Sequence, residues 1–251
     1  MKGWGLASAF RTMTIFFFPG KESDSPATAQ YWFVLVGAVL GACLYAVGWI
    51  AVKLDLALLG GALLVALLAL LTRGFHLDGL ADMADGFGGG WTKIRILEIM
   101  KDSHMGAFGV IALIVVLLVK ATAFSTIIGT ESIRSLFFVP LFSRCLVVLQ
   151  SVGNPYARQE EGTASRLVRE AHVGHAIVSI LWAIAAVILW GSSLYLHLLI
   201  VFTIGLLTTF LIAVQARRRI GGITGDILGA TVEYSEVTML VALAVLLRLS
   251  L

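Results

Sequence analysis

Charge is what this sequence has least of. Asp, Glu, Lys and Arg together make up 13% of its 251 residues, about half the share of a soluble domain, and hydrophobic residues make up 59%. A mean hydropathy of +0.96 excludes a water-soluble globule and predicts a polytopic membrane protein. Cysteine is nearly missing too. Cys43 and Cys145 both lie in apolar runs without a CxxC or a His-rich neighbourhood, which excludes a disulfide framework or zinc site and makes both small buried hydrophobes. No internal repeat or low-complexity tract is visible, so an inverted-repeat transporter finds no support in self-similarity. A cleaved signal peptide is not expected: the apolar run Ile15 to Phe18 is too short, and no small-residue cleavage site follows.

What the chain does have is runs of about 20 apolar residues, the length of a helical span. They fall at 31–52, 55–72, 106–128, 133–152, 175–191, 193–214 and 227–250. Short links, Lys53 to Asp55 and Gly191 to Ser193, make antiparallel hairpins of the first and third pairs. Glu233 and Glu236 interrupt the last run, which crosses only if they face protein or water. The expected fold is therefore all-α, a bundle of about six to seven spans in one integral-membrane domain, 1–251. With the N-terminus in the cytoplasm, thirteen Lys and Arg fall on that side, in the groups Lys2–Lys21, Arg73–Lys101, Arg158–Arg169 and Arg217–Arg219. Lys53, Lys120, Arg134 and Arg248 are assigned to the other side and Arg144 to a span, an asymmetry that satisfies the positive-inside rule. The polar segments 73–105, 153–174 and 215–236 then all face the cytoplasm. Segment 1–30 is expected to lie in the interface as an amphipathic anchor.

Chemistry is densest from Arg73 to Gly90, RGFHLDGLADMADGFGGG. On a helix Asp78, Asp82 and Asp85 stand at i, i+4 and i+7, within about 60° of one face. Three like charges at a membrane edge call for a cation between them, and hard oxygen ligands suit Mg²⁺ or Mn²⁺. The structural alternative is a helix start whose acids complement the dipole and pair with Lys93 and Arg95. That accounts for one or two of the acids, not for three. His76 precedes the cluster, and the glycines after Asp85 allow a phosphate close to the backbone.

Three further groups follow. In ILEIMKDSHMGAFG, Glu98 and Asp102 stand at i, i+4 and offer to complete a metal's ligands, with Lys101 for a phosphate; an ordinary solvated helix end fits as well. His104 reads as a polar cap. In GGITGDILGATVEYSE, Asp226 and Glu233 share a helix face, and Gly221, Gly222, Thr224 and Gly225 expose N–H groups to an anion. The alternative there is a tightly packed loop with Asp226 as helix cap, but Glu233 at membrane depth favours function. Arg144, inside a span, needs an acidic partner. Arg158 can bind phosphate bidentately, whereas Arg217 to Arg219 read as topological and lipid-facing.

Taken together and in order, HLDGLADMADG, EIMKDSHMGAFG, YARQEEG and GGITGDILGA closely resemble the cobalamin synthase family, adenosylcobinamide-GDP ribazoletransferase, over essentially the whole chain. The resemblance implies a multi-pass enzyme of the bacterial cytoplasmic (inner) membrane whose active site faces the cytosol. It joins α-ribazole or α-ribazole 5′-phosphate to adenosylcobinamide-GDP, releases GMP and forms adenosylcobalamin or its 5′-phosphate, using Mg²⁺. The matching residues are Asp78, Asp82 and Asp85; Glu98, Lys101, Asp102 and Ser103; Arg158; and Gly221, Gly222, Thr224, Gly225 and Asp226. The expected partners are those substrates and membrane lipids, with no nucleic acid; homo-oligomerisation stays open.

Two departures stand out. Phe16-Phe17-Phe18-Pro19 replaces a basic residue with Leu-Pro, and His104 stands where many members have Arg, which weakens any phosphate contact there. The reaction asks for charge neutralisation more than covalent chemistry. One or two Mg²⁺ on Asp78, Asp82 and Asp85, completed by Asp226 or by Glu98 with Asp102, would bridge the pyrophosphate. Asp85 or Asp226 would take a proton from the ribose 5′-hydroxyl; Lys101, Arg158 and Arg144 would steady GMP. Two rivals remain. A CDP-alcohol phosphatidyltransferase needs D-x-x-D-G-x-x-A-R, which this spacing fails. A cation or proton transporter would relay through Asp82, Glu233 and Arg144, and needs acids near the bilayer midplane.

Overall fold

The computed structural model describes residues 4–21, 23–160, 163–191 and 194–249. The chain is 81% helical, and no strand occurs among the described residues. The helices in chain order are α1 (Trp4–Met13), α2 (Phe33–Lys53), α3 (Ala57–Leu71), α4 (Phe75–Gly89), α5 (Lys93–Ile99), α6 (Ala107–Gly129), α7 (Phe138–Gly153), α8 (Thr163–Arg169), α9 (Val173–Trp190), α10 (Tyr195–Ile220) and α11 (Gly225–Leu249). Six are long and apolar enough to cross a membrane: α2, α6, α7, α9, α10 and α11, with short 3₁₀ turns extending α2 and α7. A seventh crossing, if counted, is the bent pair α3 and α4. Each of the seven apolar runs has thus become a helix, and the bundle of six to seven spans is as expected.

α7 and α11 run through the centre, whereas α9 is the most exposed span. Leucines such as Leu58, Leu118, Leu189 and Leu207 point outward from the peripheral helices, as lipid contact requires. α3 has 15 residues, about 22 Å of helix, and falls short of the hydrocarbon layer. At its end Arg73 and Gly74 both take left-handed backbone, φ 56° and 65°, and the chain turns by 92° into α4. The Arg-Gly pair that opens the first motif is the corner that lays the Asp helix across one end of the bundle.

Two expectations, on Lys120 and on Cys43, need correction. Lys120 lies on no loop: it stands in the middle of α6, 3% exposed, because acids inside the bundle neutralise it there. The basic asymmetry is then thirteen against three. α10 carries Arg217 to Arg219 in its last turn and α11 starts at Gly225, so a four-residue link joins two helices within the segment 215–236. α1 is docked on protein, with Ala7, Ala9, Phe10 and Met13 turned inward. Cys43 and Cys145 are both free thiols, the second buried.

Candidate active site

The site grows from the crossing of α4 and α11. Gly79 and Gly229 let the two helices touch: a β-carbon on Gly79 would lie 2.8 Å from the Asp226 carbonyl oxygen, and one on Gly229 would lie 3.3 Å from that of His76. Small residues at the crossing set Asp226, in the first turn of α11, beside the acidic face of α4. Asp82 consequently lies in the field of Asp226, Asp78 and Asp85, with Arg158 as the compensating cation. Asp78 is exposed and Asp82 half-buried. Neither carboxylate has a hydrogen-bond or ion-pair partner among the described residues.

Arg158 reaches the cluster through a backbone pairing. The Ala157 N–H donates to the Ile223 carbonyl (2.8 Å) and the Ile223 N–H to that of Pro155 (2.9 Å), a parallel bridge that ties YARQEEG to GGITGD. Arg158 Nη2 then lies 2.9 Å from Asp226 Oδ2. Thr224 donates to the same oxygen (3.2 Å) and accepts from the Ile227 N–H (3.3 Å), so Thr224 is the side chain that caps α11. Gly221 closes α10 in left-handed backbone, φ 82°.

Asp85 has other work. It is 7% exposed, and its two oxygens accept from the N–H groups of Gly106 (2.7 Å) and Gly109 (2.8 Å). These are orphan donors of the first turn of α6, satisfied here by a carboxylate at the positive end of the helix dipole. A β-carbon on either glycine would overlap that carboxylate, so the glycines of HMGAFG exist to admit Asp85.

The charged side chains of the second motif have other partners. α5 ends at Ile99, so Glu98 and Asp102 do not share a helix face. Exposed Glu98 pairs with Arg95 at 3.3 Å. Asp102 accepts from the His104 backbone (3.0 Å) and faces its ring (2.7 Å), and these bonds hold its carboxyl below the usual range. Lys101 is ion-paired with Glu160, whose own carboxyl that pair holds low. Ser103 is exposed on the same turn.

Glu233 and Arg144 meet deeper in the bundle, not at the Asp cluster. Lys120 Nζ donates to Glu233 (2.6 Å) and to Glu236 (2.7 Å). Arg144 pairs with Glu236, to which Ser143 also donates (3.0 Å). Arg144 has thus found the acidic partner it required, and Glu233 is turned to Lys120 because an unpaired buried carboxylate is so costly. His76, 2% exposed, stands near this network; both its ring nitrogens are buried without a hydrogen-bond partner.

Lys120 and Glu236 were not singled out as site residues from sequence, although their placement inside apolar runs was the signal. The tri-arginine reading was incomplete too. Arg219 donates to the carbonyls of Phe87 and Gly90 at the end of α4, and Arg217 to Asn154 (2.6 Å). Basic residues at the close of a helix point to such contacts.

Among the described residues, no three His, Cys, Asp or Glu side chains already enclose a cation. A hard divalent ion does not need them to, because Mg²⁺ is held by one or two carboxylates together with substrate phosphates and water. Unpartnered Asp78 and Asp82 fit that description. The family model described as cobalamin-5-phosphate synthase matches residues 5–244. The adenosylcobinamide-GDP ribazoletransferase of Chlorobium phaeovibrioides is 38% identical over 96% of this chain and 97% of its own. That of Chlorobium chlorochromatii is 39% identical over 97% and 96%, and that of Syntrophobacter fumaroxidans 36% over 96% and 97%. No solved structure matches.

Proposed function

The chain belongs to the cobalamin-5-phosphate synthase family, and from that premise we propose that the α4–α11 crossing is where ribazole transfer takes place. The protein is an adenosylcobinamide-GDP ribazoletransferase of the membrane, as its relatives are named. A ribose hydroxyl oxygen attacks the phosphorus that carries cobinamide. The bond from that phosphorus to the bridging oxygen breaks, and GMP leaves with the electron pair. A product that bears a 5-phosphate, as the family description has it, already has its 5′-oxygen esterified. In that form the attacking oxygen is a ring hydroxyl, not the 5′-hydroxyl first expected.

The observation that carries this reading is the pair of unpartnered carboxylates, Asp78 and Asp82, beside the Arg158–Asp226 pair at 2.9 Å. Asp78 and Asp82 would hold Mg²⁺, which when bound neutralises charge on the pyrophosphate and the departing phosphate. Arg158 turns from Asp226 to the phosphate, for which its planar fork is suited. That exchange frees Asp226 to accept the hydroxyl proton. Asp85 keeps the start of α6 in place and takes no part in proton transfer. A cytosol-facing site is supported by the thirteen Lys and Arg that the positive-inside rule assigns to that side, and charged nucleotides are supplied there.

The test uses purified protein in liposomes with adenosylcobinamide-GDP, α-ribazole and Mg²⁺, following GMP and cobalamin by chromatography. Asp82→Asn and Asp78→Asn should each lose at least a hundredfold in turnover, on the order expected for a lost electrostatic contact to the transition state. Turnover by Asp82→Asn at the parent rate would refute the assignment.

A further inference from the structure

We propose that a recess beside the Asp cluster seats the base of the nucleoside substrate and selects bases with an apolar edge. The inference rests on the ribazole-transfer reading and names the part of the substrate that this place receives. An open groove of about 750 Å³ runs along Arg73, Gly74, Asp78, Met105 and Leu113. Thr12 and Phe75 line it and also line a second, smaller cavity of about 100 Å³. The smaller cavity is walled by Met13, Phe33, Val147, Leu167 and Val232 and reaches Gly225, the neighbour of Asp226. Groove and recess thus share a wall of Thr12 and Phe75, with Arg73 and Asp78 as the charged side chains of the groove and Gly225, next to Asp226, in the recess.

The two halves match the two halves of a nucleoside. Ribose and any phosphate are hydrophilic, and the groove offers Arg73 and Asp78. The recess offers almost nothing to a hydrogen-bonding group. Of its polar side chains, Thr12 stands at the shared wall, and both ring nitrogens of His76 are buried beneath the surface. A ribazole is the riboside of a benzimidazole, a flat bicycle whose benzo edge carries no polar atom. A cavity on the order of 150 Å³ holds a whole benzene ring; this recess of about 100 Å³, which shares Thr12 and Phe75 with the groove, is sized for the outer edge of the benzo ring, with the sugar left on the groove side. A purine presents ring nitrogens and an exocyclic group at that edge and would leave them unsatisfied, which reduces binding roughly 5- to 150-fold.

The experiment uses the full chain in liposomes with α-ribazole and the α-riboside of adenine. The parent protein should prefer α-ribazole at least fivefold in kcat/KM. Ala164→Leu enters the recess from α8, where Ala164 is half-buried, and should raise KM for α-ribazole about tenfold without raising KM for adenosylcobinamide-GDP. Val232→Thr, nearly isosteric, should narrow the preference for α-ribazole over the purine. Equal use of both ribosides, or a KM for α-ribazole untouched by Ala164→Leu, would overturn the proposal. Equilibrium dialysis of α-ribazole separates the two levels. Saturable binding that Ala164→Leu weakens, without turnover, supports the recess and sinks the activity; turnover with binding indifferent to Ala164→Leu does the reverse.

Discussion

Replacing Asp85 with alanine should unfold the protein early without abolishing its chemistry. The carboxylate accepts two N–H groups, at 2.7 and 2.8 Å, and the change leaves both donors of the first turn of α6 unmet. Hydrogen bonds to a charged group contribute about 1.5–3 kcal/mol each, and a carboxylate at a partly buried helix start adds up to about 2 kcal/mol. The carboxylate's own desolvation offsets part of this. A net loss of about 3 kcal/mol remains, which corresponds to a fall in Tm on the order of 6–12 °C for a chain of this size. Asp85→Asn keeps one acceptor and turns an amide donor toward the other N–H, so it should recover less than half. Asp82→Asn provides the contrast. It removes one of several crowded negative charges, so Tm should hold or rise while turnover disappears. Thermal unfolding of detergent-purified variants by circular dichroism, with turnover measured well below every transition, separates the two roles. If Asp85→Ala melts with the parent protein yet turns over nothing, its carboxylate does chemistry and the capping argument is wrong.

Three other outcomes follow from the same geometry. Arg158→Ala should cost about 10- to 150-fold in kcat/KM, the worth of one charge-assisted contact, with Arg158→Lys in between; steady-state kinetics decide it. Gly79→Ala should lower both stability and activity, because its methyl would lie 2.8 Å from the Asp226 carbonyl, whereas Gly229→Ala, with its nearest contact at 3.3 Å, should be milder on both. A reversed ranking in melting and turnover would mean that the crossing is not set by Gly79. Lys120→Met should strand the buried Glu233 carboxylate, leave Glu236 to Arg144 and Ser143, and cost roughly 3–5 kcal/mol. Adding Glu233→Gln should restore part of the yield of folded protein, and a double variant worse than the single would contradict the pairing.

Much of this molecule was legible because lipid demands long apolar runs, and each run became a helix near its expected bounds. The shared face of Asp78, Asp82 and Asp85 was readable for a similar reason: α4 is an unbroken helix, so periodicity alone aligns them. Periodicity says nothing of what lies opposite. Only the fold brings two N–H groups of α6 against Asp85, and only the fold brings Lys120 to Glu233 inside the bundle. The second motif misled because Glu98 and Asp102 count as i, i+4 only if the helix continues past Ile99, and it does not. Arg158 and Asp226 are joined by a bridge between residues 156 and 223, a pairing too distant in sequence for any local pattern to announce.

The buried charges also set the order in which the protein can be made. Lys120 precedes its partner Glu236 by 116 positions and Arg144 precedes it by 92. At roughly 5–20 residues per second, the ribosome delivers both cations to the membrane about 5–20 s before the helix that neutralises them. Until α11 arrives, α6 and α7 must wait with two unpaired cations, held at the translocon or by whatever water and lipid headgroups they can draw in. The charge balance inside the bundle is therefore completed only by α11.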